Sequence, residues 1–240
     1  MRLLRFLPLG LLILMSCSKE DKLVSENQGM GEITISLSSS DSSDDVTPLS
    51  KSVEENVPDV NDFEVEIYNS RGIRLYRDSY ANSAGKKIPL NSGEYRLLAQ
   101  HGDSAGVGFN ADKAWFSADQ TFTVHPQTSE SISAVARMNK VKVAVKLGSN
   151  LLASYSDLYT LVRHAESSKE LKFVKDETRA GYTLAGKLEL EIYAYDSESS
   201  KWLYYPVNLS SLSDTEDLSI YKPNSFVTFN LEMYDGEGTL

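Results

Sequence analysis

The stretch from residue 129 to residue 147 reads SESISAVARMNKVKVAVKL. In its second half every other residue is apolar, namely Val141, Val143, Val145 and Leu147. Strict alternation of this kind is typical of a β-strand with one buried face. The strand-like run 129–138 precedes it directly, without a linker. We therefore predict a domain boundary near Asn139, crossed by one extended segment that leaves one domain and enters the next.

Short strand-like runs continue toward the N-terminus, at 30–37, 63–69, 73–80, 86–90, 94–101 and 114–124. Several of them alternate, for example MGEITISL, in which Ile33, Ile35 and Leu37 share one face. Ser70, Arg71 and Gly72 form a hairpin turn between two of the runs. About seven strands in roughly 110 residues is the size of a β-sandwich. Residues 30–138 are therefore predicted to form an N-terminal β-sandwich domain.

The C-terminal part repeats this plan, with predicted strands at 158–164, 170–174, 187–195, 201–207 and 225–234. A short helix is expected over 149–156, capped by Ser149 or Asn150. Residues 139–240 are predicted to form a second β-sandwich domain. The fold class is thus all-β, with two tandem sandwiches.

The charge and the residue composition of the chain argue against nucleic-acid binding and against a metal site. The chain of 240 residues carries a net charge of −10, and a nucleic-acid partner requires a basic surface that is absent here. It contains three histidines and one cysteine, at no spacing that suits a metal site, so neither metal nor cofactor is predicted. The acidic loop 38–60 leaves calcium open as an alternative, through Asp41, Asp44 and Asp45, although their spacing fits no EF-hand loop.

The N-terminus reads MRLLRFLPLGLLILMSC, with two arginines followed by an apolar run that is too short to span a bilayer. Its end, Leu14-Met15-Ser16-Cys17, resembles a bacterial lipobox. The resemblance implies a signal peptide over 1–17, acylation of Cys17 and attachment to a membrane through the lipid, with 18–29 as a polar tether. The charged run after Cys17 resembles an export tag for the outer face of the outer membrane in Bacteroidetes-type bacteria. The alternatives are an ordinary signal peptide and a merely solvated tether.

Residues 102–106 read GDSAG, which satisfies the pattern of a serine-hydrolase nucleophile, with His101 nearby. Such a nucleophile needs a strand before Ser104 and a helix after it. The strand is predicted, but the apolar residues that follow fit no helical face. Gly, Asp and Ser are also common turn residues. We therefore predict a structural turn, no catalytic residue and no enzymatic activity.

Aromatic side chains offer a different kind of site. The run 201–207 places Trp202, Tyr204 and Tyr205 on both faces of one strand, where they could stack on a glycan. The alternative is that they belong to the core or to cross-strand pairs.

The order of several segments resembles the fimbrillin-like lipoproteins of Bacteroidales, in particular an uncharacterised two-domain cell-adhesion family. The segments are the lipobox, DFEVEIYN at 62–69, IPLNSGEYRLLA at 88–99, Gly108-Phe109 ahead of Trp115-Phe116, and MNKVKV at 138–143. The resemblance implies two transthyretin-like sandwiches in a lipid-anchored protein of the cell surface. It also implies adhesion or fimbrial partners, joined by addition of a strand to an open sheet edge.

This sequence departs from polymerising fimbrillins in two respects. No cleavage site is evident ahead of 30–37, and no strand beyond Tyr234 is available for donation to a neighbour. We therefore expect a fimbrial anchor or accessory subunit, or a free-standing adhesion protein, rather than a stalk subunit. The alternative is a glycan-binding surface lipoprotein of a polysaccharide-uptake system.

Overall fold

A computed structural model describes residues 29–40, 57–212 and 217–233, and within them most elements are β-strands. The predicted signal peptide with Cys17, the tether up to residue 28 and the acidic group at 41–45 lie outside the described residues. The all-β class expected from the sequence is confirmed.

The first seven strands form one sheet in the order β3-β2-β5-β6-β7-β1-β4. They are β1 (Met30–Ser40), β2 (Glu64–Asn69), β3 (Arg74–Ser79), β4 (Ile88–Asn91), β5 (Gly93–Gly102), β6 (Trp115–Val124) and β7 (Ser129–Met138). The helix α1 (Tyr80–Ser83) and two 3₁₀ turns, Val60–Asp62 and Ala111–Lys113, connect them. The helical turn at α1 replaces the end of the strand predicted over 73–80.

This sheet folds over on itself. Strand β6 pairs with β5 along its whole length, but with β7 only at Phe116 and Ser117. The apolar sides of the two halves consequently share a single core, to which β1 contributes Ile33, Ile35 and Leu37 as predicted. Strand β1 runs parallel to β7, from Glu32 beside Ser129 to Ser40 beside Arg137.

The remaining strands form two sheets, ordered β10-β9-β12-β13, with β14 added to β12, and β11-β8-β15. They are β8 (Lys140–Leu147), β9 (Asp157–His164), β10 (Glu170–Val174), β11 (Gly181–Leu184), β12 (Gly186–Asp196), β13 (Lys201–Val207), β14 (Ile220–Tyr221) and β15 (Phe226–Leu231). A second core lies between these sheets. Its buried members include Val141, Val143 and Val145, as the alternation predicted.

Two details of this second part differ from the sequence prediction. The helix α2 (Ser149–Ser154) begins after Gly148, which occupies the cap position without a side-chain bond, so neither Ser149 nor Asn150 is the cap. Strands β11 and β14 were not predicted, because four and two residues are too few to show a period.

The segment between the two cores is a single residue. Strand β7 ends at Met138 and β8 begins at Lys140, with Asn139 between them. Asn139 donates its backbone N–H to the carbonyl of Trp115 over 2.7 Å, and its side-chain amide to Ser117 over 2.6 Å. One extended segment therefore passes from one core to the other and is held to β6 where it crosses.

Candidate functional site

The GDSAG segment begins at the last residue of β5 and forms a loop toward β6, and its surroundings differ from those of a serine-hydrolase nucleophile. Nδ1 of His101 lies 3.1 Å from the backbone carbonyl of Asp62, and its ring packs on Phe63. The element that follows Ser104 is the 3₁₀ turn Ala111–Lys113 rather than the helix of a nucleophile elbow. Glycine is required at position 102, where φ is +91° and a Cβ would lie 1.7 Å from the Ala114 carbonyl oxygen.

Asp103 organises this loop. Its carboxylate accepts the backbone N–H groups of Ala105 and Gly106 over 3.0 and 2.8 Å, and it pairs with Lys113 over 3.1 Å. The N–H of Gly106, followed by Lys113, lowers the pKa of Asp103 to about 2. A carboxylate bound in this way acts as a turn-forming residue, as the sequence predicted.

The same loop joins the two cores, and we call residues 103–110 the clasp. Gly108 and Tyr182 of β11 exchange two backbone hydrogen bonds of 3.1 and 2.7 Å. Phe109 packs edge-on against Phe173 at 5.0 Å between ring centroids. In the opposite direction, the buried ring of Tyr182 packs into the core of the first sandwich. Each sandwich thus places an aromatic side chain in the core of the other.

Lys140 lies beneath the clasp and is fully buried. Its ammonium donates to the carbonyl of Gly106, and Lys169 donates to the neighbouring carbonyl of Ala105. Burial lowers the pKa of Lys140, as expected for a cation removed from water. These two lysines, both from the second sandwich, hold the clasp by its carbonyl oxygens.

A second feature is a group of aromatic side chains on the outer side of the sheet β10-β9-β12-β13. We call it the aromatic face, and it consists of Tyr159, Tyr193, Tyr195, Trp202 and Tyr204. The pairing register places its members on the same side. Tyr193 lies opposite Tyr159 on β9 and Tyr204 on β13, while Tyr195 lies opposite Trp202.

A row of stacked groups crosses this sheet. The rings of Tyr159 and Tyr193 are nearly parallel, at 4.7 Å and 9°. The ammonium of Lys172 covers the Tyr159 ring at 3.9 Å from its centroid, and the ring of Tyr204 follows Tyr193 at 5.1 Å. Parallel rings on neighbouring strands stand upright on the sheet. Cross-strand stacking therefore holds them in place.

Trp202 is oriented differently. Its indole lies 5.5 Å from Tyr195 on the adjacent strand and 5.3 Å from Tyr159, which is one strand further away. The indole therefore reaches across β12, and its plane is inclined at 57° to the ring of Tyr159 and at 61° to that of Tyr195. It is nevertheless 47% exposed, so its ring is available to solvent.

A carboxylate lies within the aromatic face. Glu191 accepts from Arg163 over 3.0 Å, from the Tyr193 hydroxyl over 3.1 Å and from the Tyr204 hydroxyl over 3.3 Å. Burial, followed by the neighbouring carboxylate of Glu191, raises the pKa of both tyrosines. The face combines aromatic carbon with fixed hydrogen-bonding groups.

The three aromatics singled out from the sequence do not form one site. Trp202 and Tyr204 lie together on the aromatic face. Tyr205 points to the opposite side of β13, where its hydroxyl lies 3.4 Å from that of Tyr155. Tyr159, Tyr193 and Tyr195 were missed, although Tyr193 and Tyr195 share the outward positions of their alternating strand with Glu189 and Glu191.

Within the three described ranges, no group of three His, Cys, Asp or Glu side chains is placed to hold a metal ion. No helix in the same part of the chain is both long enough and apolar enough to cross a membrane.

Residues 29–239 match a protein family described as a domain of unknown function (DUF4493). The chain belongs to this family. The match covers the first predicted sandwich and all but the last residue of the second, and it agrees with the uncharacterised family expected from the sequence. Among curated proteins, no sequence matches the chain.

Several solved structures of Bacteroides proteins follow a similar chain course. A candidate polysaccharide-binding protein of B. thetaiotaomicron has a TM-score of 0.48 at 10% identity, covering 88% of this chain and 93% of its own. A candidate cell adhesion protein of B. eggerthii has a TM-score of 0.47 at 12% identity, covering 85% and 87%. A candidate adhesin of B. ovatus has a TM-score of 0.42 at 10% identity, covering 88% and 91%. Likeness at this level carries no information on ligand or partner, which must come from the residues of this DUF4493 chain.

Proposed function

We propose that this DUF4493 protein is a non-enzymatic, lipid-anchored protein of the cell surface that works in adhesion. The observation that supports the proposal most is the aromatic face, where two large rings, Trp202 and Tyr204, are about half exposed on the outer side of a sheet. Apolar rings displayed in this way mark binding surfaces. The lipobox sequence supplies the anchor at Cys17, and GDSAG serves the clasp rather than a reaction.

Cell attachment tests the adhesive role. A strain lacking the protein should attach less to host mucus or to partner bacteria, and the wild-type gene should restore attachment. The strain carrying the restored gene must display the protein at wild-type level, as measured by surface labelling. Equal attachment with and without the protein would contradict the proposal.

The anchor is tested separately with Cys17→Ala. Only a thiol forms the thioether to diacylglycerol, so the variant should move from the membrane pellet to the soluble fraction and take up no fatty-acid probe. Ser18→Ala, one residue further on, is the matched control and should remain in the membrane. A wild-type protein that is soluble and unlabelled would exclude the lipid anchor.

A finer form of the proposal is an anchor or accessory subunit of a fimbria. Strands β3 and β4 are the two edges of the first sheet, and an exposed edge is where a neighbouring subunit could add a strand. Electron microscopy of cells lacking the protein would show shortened, detached or absent filaments. Unchanged filaments would leave a free-standing adhesion protein.

A second candidate is a glycan-binding lipoprotein of a polysaccharide-uptake system, which the aromatic face also favours. Growth on a polysaccharide as sole carbon source separates it from adhesion. Deletion of an uptake component should slow growth on the polysaccharide, whereas deletion of an adhesion protein should leave growth in suspension unchanged.

A further inference from the structure

The aromatic face carries an inference about its ligand, which rests on the proposed function because it names what that surface binds. We propose that the face binds neutral carbohydrate, with a sugar ring laid on the indole of Trp202 and its hydroxyls turned toward Tyr204 and Glu191.

The first step is the orientation of the indole. The indole of Trp202 reaches across β12 and packs against Tyr195 and against Tyr159 one strand further on, inclined to both rings by about 60°. One side of a pyranose ring is a patch of C–H groups, and an indole that is 47% exposed offers it a matching apolar area. The upright tyrosines cannot do this, since their faces are taken up by each other and by Lys172.

The second step is rigidity. The row from Lys172 through Tyr159 and Tyr193 to Tyr204 spans all four strands of the sheet. Each ring in it contacts the group on the neighbouring strand, which restricts its movement. Side chains that are already fixed lose little entropy when a ligand arrives. The row therefore acts as a support that positions Trp202 and Tyr204.

The third step is the polar component. A sugar ring presents hydroxyls around its edge, and these need donors and acceptors close to the aromatic contact. Glu191 and the phenol groups of Tyr193 and Tyr204 form a connected network beside the rings. An apolar protein partner would leave such groups without compensation on burial, which costs free energy.

The fourth step is charge. The outward positions of this sheet carry four carboxylates, Asp157, Glu170, Glu189 and Glu191, against three cations, Arg163, Lys172 and Lys187. The whole chain adds a net charge of −10. Sulfated, sialylated or uronic glycans would be repelled, so the ligand is a neutral one. A second copy of the chain, packed face to face, would bring the same excess of carboxylates together and is disfavoured for the same reason.

Affinity electrophoresis tests the inference with the full chain, solubilised in a detergent that has no sugar headgroup. The probes are a neutral β-glucan, a neutral α-mannan and a neutral galactan, with hyaluronate and polygalacturonate as anionic counterparts. At least one neutral polymer should retard the protein, and neither anionic polymer should. Trp202→Ala should weaken binding about tenfold or more, as removal of a central aromatic contact does.

Tyr205→Ala is the matched control, because this ring lies on the same strand, is exposed to a similar extent and points to the other side. It should bind as the wild type does. Circular dichroism confirms that both variants are folded. Equal losses in Trp202→Ala and Tyr205→Ala would overturn the inference, as would tighter binding of the anionic polymers.

A direct readout uses the fact that the chain has two tryptophans. In a Trp115→Phe variant Trp202 is the sole indole, and titration with the bound neutral polymer should shift its emission. No shift at saturating polymer would place the ligand elsewhere and contradict the inference.

These outcomes are separate from those of the proposed function. Cells that lose attachment when the protein is deleted, together with a protein that binds no neutral polymer, would leave adhesion standing and exclude carbohydrate as the ligand. Retardation by a neutral polymer with unchanged attachment would support the carbohydrate site and exclude adhesion.

Discussion

The outer faces of the two sandwiches differ in how they meet water. On the first, outward residues of β2, β3, β5 and β6 form ion pairs across strands, such as Glu66 with Arg74 at 2.5 Å and Glu64 with Arg77 at 2.6 Å. On the second, the corresponding positions of β9, β12 and β13 carry stacked rings. Both arrangements use the same alternation of inward apolar and outward residues.

The difference shows that alternation determines the core and leaves the outer face free to vary. In these cross-strand ion pairs the charges neutralise each other and the arginines stay about half exposed to water, so the first face offers a partner little to gain. Rings held on the second face keep apolar area in water, and its burial by a ligand is favourable. Of the two sandwiches, the second therefore carries the candidate binding surface.

The prediction with the largest expected effect concerns whether the two sandwiches unfold as one cooperative unit. Tyr182→Ala removes a buried ring that the second sandwich places in the first core, and it should lower the free energy of unfolding by about 3–5 kcal/mol. Trp115 and Trp202 report on the two sandwiches in single-tryptophan variants, followed by fluorescence in urea. Both midpoints should fall together. An unchanged midpoint at Trp115 would show that the two sandwiches unfold independently. The control Tyr182→Phe keeps the ring, so its free energy of unfolding should fall far less than that of Tyr182→Ala.

The second prediction concerns the ionic face. Glu66 is only 4% exposed. Burial alone would raise its pKa, but hydrogen bonds from Tyr68 and Arg74 outweigh burial and lower it. Glu66→Ala should cost about 2 kcal/mol, less than a fully buried pair because the arginines remain partly hydrated.

The lowered pKa of Glu66 determines how the stability of the protein changes with pH. The stability that ionised Glu66 contributes is fully present above its ordinary pKa of 4.5 and is lost as the pH falls through the lower value in the folded protein. Glu66→Gln should therefore reduce the acid-dependent loss of stability. Urea unfolding between neutral and acidic pH measures this. Glu64→Ala, on the same strand and more exposed, is the control and should cost less than about 1 kcal/mol; an equal cost at both positions would contradict the argument.

The prediction with the smallest expected effect concerns coupling energies, measured by double-mutant cycles for one pair of side chains from each face. The stacked pair Tyr159 and Tyr193 should show a coupling of about 1 kcal/mol that salt does not change. The pair Arg96 and Asp119 should show about 0.5 kcal/mol at low salt and less as salt is added. Equal salt dependence of the two couplings would remove the distinction between an aromatic and an ionic face.

Strands and their inward residues could be predicted because they depend on local periodicity. Ile33, Ile35 and Leu37 are buried in the structure as their spacing indicated, and so are Val141, Val143 and Val145. The turn chemistry of Gly-Asp-Ser-Ala-Gly was likewise readable, since Asp103 binds backbone N–H groups only two and three residues away.

Contacts between distant strands could not be predicted in the same way. The aromatic face needs Tyr159, Tyr193 and Trp202 on three strands that become neighbours only through the sheet order β9-β12-β13. Nothing local in the sequence gives this order, and without it Trp202 was grouped with Tyr205, its neighbour along the chain. The exchange of Phe109 and Tyr182 between the cores was missed for the same reason.

If the proposed lipid anchor at Cys17 exists, the parallel pairing of β1 with β7 has a mechanical consequence. Flow acting on a ligand held by the second sandwich would pull through β8 on the C-terminal end of β7, while the tether pulls on the N-terminal end of β1. Because the two strands point the same way, this tension would slide them past each other. The bonds from Glu32 and Ser129 to Ser40 and Arg137 would then share the load at once instead of opening one after another. Such a geometry resists rupture, which is consistent with the adhesive role proposed above.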